Sequence, residues 1–249
     1  MITCRNKCNI MNSYIIRFFL LVAIVVLHSC NVKKEIVVES KSGVLNAKEK
    51  SILIDAKKDL LYGTSDEAIS KLTEILKSDS LNSTVNYELA KIYYSLKQFD
   101  KSLFHSKIAY TTCPDNSWFA KIYVQSLEQS GNDKDATSVY CIMIDKWGND
   151  IDLWYDFFRF LDNMGNYKLL NIYLNRFEKI FGYSDELIIN RYQSFVKQKK
   201  YKDAEKYLLS VLKENSKNEI ANLILADFYS ASYKFDKALE IYNRLLDID

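Results

Sequence analysis

Residues 114–148 read PDNSWFAKIYVQSLEQSGNDKDATSVYCIMIDKWG, and this stretch carries turn residues at regular intervals. Pro114 begins it, Gly131 lies at its centre, and Gly148 ends it 34 residues after Pro114. The same two phases continue elsewhere in the chain, at Gly63, Gly165 and Gly182. Because glycine and proline mark where helices stop, a 34-residue period with turns at two phases predicts an array of helix–turn–helix units. Such an array places function on a surface rather than in a catalytic pocket.

From residue 49 the chain divides every 34 residues without an insertion. The predicted units are 49–82, 83–116, 117–150, 151–184, 185–218 and 219–249. Apolar spacing predicts two helices in each unit. In the second unit, Leu89, Ile92 and Leu96 mark the first helix, and Leu103 and Ile108 mark the second after a short break.

The second unit resembles the tetratricopeptide repeat family from Tyr87 through Pro114. The positions that keep phase with it are Leu89-Ala90 and Leu225-Ala226; the helix tyrosines Tyr93 and Tyr229; the turn glycines Gly63, Gly131 and Gly165; the aromatics Phe99, Tyr167, Tyr201 and Phe235; and the small residues Ala68, Ser102, Ala136, Ala204 and Ala238. The resemblance covers 201 of 249 residues. It implies an all-α fold, a right-handed α-solenoid of about six helix–turn–helix units.

The small residue early in each second helix has a physical purpose, because it lets the paired helices approach to ~8 Å. Leu170 breaks this pattern in the fourth unit. We therefore expect irregular packing there and in the first unit, whose match to the pattern is weak. No unit buries its apolar face alone, so stability should come from stacking of neighbouring units.

The N-terminal segment is predicted to be a targeting signal. Residues 18–27 are wholly apolar and follow Arg17, but ten residues are too few for a helix to span a bilayer. The end of this run, Leu27-His28-Ser29-Cys30, resembles the lipobox of bacterial lipoproteins, although His28 departs from the usual small residue. The resemblance implies a signal peptide over 1–29, lipid on Cys30, and a polar tether over 30–48. Plain secretion and an uncleaved anchor remain alternatives.

Two further details of the N-terminus bear on processing and location. Met11 is an alternative start, which would leave Cys4 and Cys8 outside the protein. Residue 31, directly after Cys30, is asparagine. In enterobacteria an aspartate at this position retains lipoproteins in the inner membrane, so the sequence favours the cell envelope and its outer membrane.

Composition and motifs argue against catalysis and nucleic-acid binding. Removing Arg5, Lys7 and Arg17 with the signal from 34 basic residues leaves 31 against 32 acidic residues, so the chain has no basic excess for nucleic acid. No phosphate-binding or zinc-binding motif occurs, and we expect no cofactor and no metal. His105 has no evident catalytic partner in the sequence. Cys113 and Cys141 are interpreted as thiols rather than as a disulfide.

The resemblance instead implies a binding groove along the first helix of each unit. Mapped onto this sequence, the inward positions are Tyr87, Lys91 and Tyr94; Trp118, Lys121 and Gln125; Tyr155, Arg159 and Asp162; and Asn190, Gln193 and Lys197. Aromatic and arginine side chains beside polar groups suit capture of an extended peptide or a partner helix. Ordinary solvated tyrosines and packing between units are the alternative interpretation.

These features predict a lipid-anchored scaffold that binds partner proteins or peptides and is not an enzyme. The alternatives are an outer-membrane assembly factor, a ligand- or glycan-capturing lipoprotein, and the N-terminal sensor part of a longer signalling protein. The sixth unit stops without the polar capping helix that normally closes such arrays. We therefore expect either a longer protein or a partner that covers the last helix.

Overall fold

The computed structural model describes residues 44–246, and all regular structure in that range is α-helical. The predicted signal peptide, Cys30 and most of the predicted tether lie outside the described residues. In chain order the helices are α1 (Ala47–Tyr62), α2 (Ser65–Leu76), α3 (Ser83–Ser95), α4 (Phe99–Thr112), α5 (Ser117–Gln129), α6 (Asp133–Trp147), α7 (Ile151–Asn163), α8 (Tyr167–Phe181), α9 (Asp185–Lys197), α10 (Tyr201–Glu214), α11 (Glu219–Ala231) and α12 (Phe235–Leu246). The predicted all-α helical repeat solenoid is confirmed over this range.

The helices follow the 34-residue period closely. The even-numbered helices, which we call second helices, all begin at one phase, and so do the odd-numbered first helices from α3 onward. Helix α1 begins at Ala47, two residues before the unit boundary expected at 49. Asn46 and Glu49 form a capping box at its start, and Leu45 is buried, so ordered structure includes the end of the segment assigned to the tether.

One side chain fixes the start of each first helix after α1. The residue before the helix accepts a hydrogen bond from a backbone amide in the first turn, which satisfies a donor that the helix itself leaves free. These N-cap residues lie 34 apart, at Asn82, Asn116, Asp150, Ser184 and Asn218. The period therefore specifies where helices begin as well as where they end.

The turn inside each unit has one backbone conformation throughout. The residue at the turn has φ of 81°, 68° and 66° at Gly63, Gly131 and Gly165, and φ of 58°, 58° and 59° at Lys97, Lys199 and Tyr233. At every turn the amide of this residue donates to the carbonyl three residues back, and the next amide donates to the carbonyl five residues back. This is a Schellman motif, which requires a left-handed residue. Three turns therefore place a non-glycine residue where glycine is favoured.

The helices pack in sequence, each against its neighbours along the chain. The small positions predicted from the repeat are buried, with Ala68, Ala136 and Ala204 fully inaccessible. Leu170, which stands where the other units have a small residue, is also buried.

An aromatic cluster fills the middle of the array. Trp154, Phe157 and Phe158 of α7 are fully buried and pack against Tyr140 of α6 and Phe177 of α8. The indole nitrogen of Trp154 donates to the backbone carbonyl of Gly148 at 2.8 Å, so the buried polar atom is satisfied. Smaller apolar clusters lie beneath α1–α3 and α9–α12.

Cys113 and Cys141 are both free thiols, as interpreted from the sequence. None of the helices in 44–246 has the length and apolar character needed to cross a membrane.

Candidate partner-binding surface

The predicted groove residues lie on the exposed side of α3, α5, α7 and α9, which we call the first-helix face. In α3, Tyr87, Lys91 and Tyr94 follow one another at helical spacing along a single stripe. Residues of α5 occupy the same phase 34 residues later, beginning with Lys121. The period therefore brings equivalent positions of successive units side by side.

The cations of this face are paired with carboxylates. Lys91 Nζ lies 2.9 Å from Glu88, and Lys57 of α1 reaches the same carboxylate at 3.1 Å. Glu88 itself is buried, so these two ammonium groups compensate a charge that would otherwise be costly to remove from water. The sequence identified Lys91 as a candidate contact for a partner, whereas the structure uses it within the array.

A second set of ion pairs joins α5 to α7. Arg159 lies 3.5 Å from Glu128 of α5 and 3.6 Å from Asp156 of its own helix, and Lys121 of α5 lies 3.8 Å from Asp156. Further along, Lys197 of α9 forms an ion pair with Asp162 of α7. Charges on this face thus link neighbouring units, and no single sign dominates it.

Glu128 lies at the centre of the α5–α7 set. The buried Tyr140 hydroxyl donates to its carboxylate at 2.5 Å. Burial raises the pKa of Glu128, while the hydrogen bond from Tyr140 and the charge of Arg159 act in the opposite direction. Removing Arg159 would therefore leave a largely buried carboxylate without its cation, which makes Arg159 a poor residue for testing partner contact alone.

The tyrosines of this face are half-buried. The Tyr87 ring centroid lies 5.0 Å from that of Phe119, and Lys91 Nζ lies 4.6 Å from the Tyr87 centroid. Burial raises the pKa of Tyr94, whose ring meets the edge of Phe99. These contacts connect helices as well as presenting ring edges to solvent.

Tyr155 is also anchored. Its hydroxyl lies 3.2 Å from Ser184 Oγ, and its ring centroid lies 5.6 Å from that of Phe177. Asn190 donates to the Glu186 carbonyl within its own helix, and Gln193 is exposed. Among the predicted groove residues of α9, Lys197 is therefore the one that contacts another groove residue, through its ion pair with Asp162.

Trp118 differs from the other aromatic residues of the face because 67% of it is exposed. An indole side chain normally contributes a large apolar area when buried, so an exposed one on an otherwise paired face stands out. The structure places Trp118 with Lys121 and Gln125 along one wall of a pocket between α5 and α7. These three predicted residues are thus brought together.

The pocket has a volume of about 210 Å³. Its remaining lining includes Tyr140, Met143 and Trp147 from α6, and Asp150, Asp152 and Asp156 at the start of α7. The α6 side chains lie between α5 and α7 and form the floor of the pocket. Contributions from a second helix and from an N-cap residue were not expected from the mapping of first-helix positions.

Two further polar clusters lie at seams between helices. His105 Nδ1 is 2.8 Å from Asn86 Oδ1, its ring stacks on Tyr93, and burial lowers its pKa. The buried Arg191 guanidinium donates to Glu178 and to Asn175 at 2.7 Å each. Both clusters pair polar groups between packed helices, although the buried Nε of Arg191 has no hydrogen-bond partner. In residues 44–246 no group of three or more acidic, histidine or cysteine side chains is placed to hold a metal ion.

A family model described as tetratricopeptide repeat matches residues 195–249. The fold is similar to a tetratricopeptide repeat protein from Parabacteroides merdae, at 12% identity and a TM-score of 0.58, covering 82% of this chain and 81% of that one. It is also similar to the C-terminal part of a repeat-containing protein from Cytophaga hutchinsonii, at 18% identity and a TM-score of 0.56, covering 79% and 78% of the two chains.

A search of curated protein sequences gave no match. At identities of 12% and 18%, the structural comparisons establish the fold alone. The chain therefore has the fold of tetratricopeptide repeat proteins, and residues 195–249 carry the sequence pattern of that family.

Proposed function

We propose that this chain is a binding scaffold whose first-helix face holds an extended segment of a partner protein. The observation that carries the proposal is the exposed indole of Trp118 at the mouth of the pocket between α5 and α7. Contact residues that dominate protein interfaces are enriched in tryptophan beside well-packed pockets. The buried Tyr140 hydroxyl donates to Glu128 and so ties α6 to α5 beside the pocket, and a site organised before a partner arrives has a lower entropic cost of binding.

Site-specific photocrosslinking in the cell tests this function. A photoreactive phenylalanine analogue at position 118 should crosslink a discrete partner, whereas the same analogue at position 104 should not. Phe104 is a matched control, because it is 63% exposed and lies on the second helix α4. Equal crosslinking from both positions, or none from position 118, would contradict binding at this face.

The proposed scaffold is tethered by lipid at Cys30 in the bacterial cell envelope, at the outer membrane. Support comes from the apolar run 18–27 and from Leu27-His28-Ser29-Cys30, which resembles a lipobox. Metabolic labelling with a fatty acid should mark the natural chain but not Cys30→Ala. A Cys113→Ala variant should keep the label, which controls for acylation of another thiol. Labelling that survives Cys30→Ala would refute the anchor without affecting the binding face.

A further inference from the structure

The pocket between α5 and α7 combines aromatic walls with acidic groups at its rim. Trp118, Tyr140 and Trp147 supply the rings, and the carboxylates come from the start of α7. We propose that this pocket binds one basic side chain, arginine or lysine, of the partner segment. The inference rests on the proposed binding function and specifies the chemistry that the face recognises.

The size of the pocket favours a single side chain. Pockets for drug-sized ligands usually measure about 300–1,000 Å³, whereas this one measures about 210 Å³. Its buried lining includes Met143, Val124 and Leu153, which would contact the aliphatic stem of an arginine or lysine. A long side chain with a charged end therefore matches both the volume and the composition of the site.

The charge of the lining favours a cation. The lining contains three carboxylates, Asp150, Asp152 and Asp156, and one basic side chain, Lys121; even with Arg159, which also pairs with Asp156, carboxylates outnumber cations. Asp150 also accepts a hydrogen bond from the Asp152 amide, and the start of α7 offsets part of the negative charge. An acidic side chain would meet like charge at the rim, which disfavours it.

Asp156 retains the capacity to bind an additional cation. Its distances to Arg159 and Lys121 are 3.6 and 3.8 Å, longer than the ~2.7–2.9 Å of a charge-assisted hydrogen bond. A guanidinium or ammonium that entered the pocket would therefore find a carboxylate oxygen with weakly held partners.

The rings supply a second attraction for a cation. Because 67% of Trp118 is exposed, its ring is accessible to a ligand. Indole is the aromatic ring that attracts cations most strongly. Trp147 already has one cation nearby, since Lys146 Nζ lies 5.8 Å from its ring centroid while pairing with Asp115. Trp118 therefore offers the more accessible ring face to an incoming basic group.

Nuclear magnetic resonance of the tryptophan indole N–H groups tests the proposal on the full chain in detergent micelles. The probes are four capped pentapeptides with arginine, lysine, citrulline or glutamate between pairs of alanines. The arginine and lysine peptides should shift the Trp118 and Trp147 signals saturably, with affinity on the order of tenfold above citrulline. The buried Trp154 indole N–H, which donates a hydrogen bond to the Gly148 carbonyl, gives a signal that reports whether the fold is intact.

The double variant Asp152→Asn and Asp156→Asn should reduce this preference for arginine to near that of citrulline. Asp133→Asn is the matched control, since it makes the same change in the first turn of α6 and should leave binding unaltered. Equal binding of all four peptides, a preference for glutamate, shifts confined to other signals, or no binding would overturn the basic-side-chain pocket. Crosslinking at position 118 would still decide the scaffold function separately.

Discussion

Lys199→Gly is expected to make the array more stable, because Lys199 lies at a turn that requires a left-handed residue. Its φ is 58°, and its side chain is exposed, so the substitution removes little packing. Holding an L-residue in this conformation costs ~1–2 kcal/mol, and glycine avoids that cost. Glycine also adds ~0.4–1 kcal/mol of freedom to the unfolded chain. The net expectation is a gain of about 0.5–1 kcal/mol in the free energy of unfolding.

Urea unfolding followed by far-ultraviolet circular dichroism would measure this gain. For a slope of ~1–3 kcal/mol per M, the midpoint should rise by about 0.2–1 M. The matched control is Lys206→Gly, the same substitution at an exposed position inside α10, where glycine should cost ~0.7–1 kcal/mol. Gly165→Lys, at the equivalent turn of the fourth unit, should also lower stability. If Lys199→Gly lowers the midpoint as Lys206→Gly does, the argument from turn conformation is wrong.

Three other predictions concern the core and the pH dependence of stability. Trp154→Ala should lower the free energy of unfolding by ~3–5 kcal/mol, whereas Trp118→Ala should change it by less than ~0.5 kcal/mol, as denaturant titration can measure. Burial lowers the pKa of His105 from 6.5, so the unfolded chain takes up the proton first. Stability should therefore fall as the pH drops below about 6.5, and His105→Gln should lose this slope in urea titrations at different pH values. Ala136→Leu should cost ~1–3 kcal/mol through overpacking, and Leu170→Ala at the same phase should cost ~2–5 kcal/mol through a cavity, both measured by thermal unfolding.

The helical architecture could be predicted because its determinants are local and repeat in phase. Gly131 and Gly165 indicated the turns directly, since glycine is the usual left-handed residue. Lys97 and Tyr233 adopt the same conformation, yet residue type alone does not identify them as turn residues. Only their spacing from the glycines, a multiple of 34 residues, could have identified them as turn residues.

The side-chain arrangement of the first-helix face was less predictable because its charges depend on neighbours in other units. Lys121 and Asp156 are 35 residues apart, and Arg159 and Glu128 are 31 apart, so neither pair is visible within one helix. Trp147 reaches the pocket from a second helix, which the mapping of first-helix positions did not consider. The side-chain pairs between units and the pocket between α5 and α7 could be identified only from the three-dimensional structure.

The uniform turn also bears on how the length of this protein can change. Residues 98–131 begin just after one left-handed turn residue and end on the next, so their deletion would join Lys97 to Asn132 with the same Schellman geometry. A gene rearrangement in multiples of 34 codons therefore removes or adds a unit without requiring a new loop. The remaining requirement is that the newly joined helices pack against each other. The aromatic cluster around Trp154 would accept fewer new neighbouring helices than the interfaces lined by buried alanines.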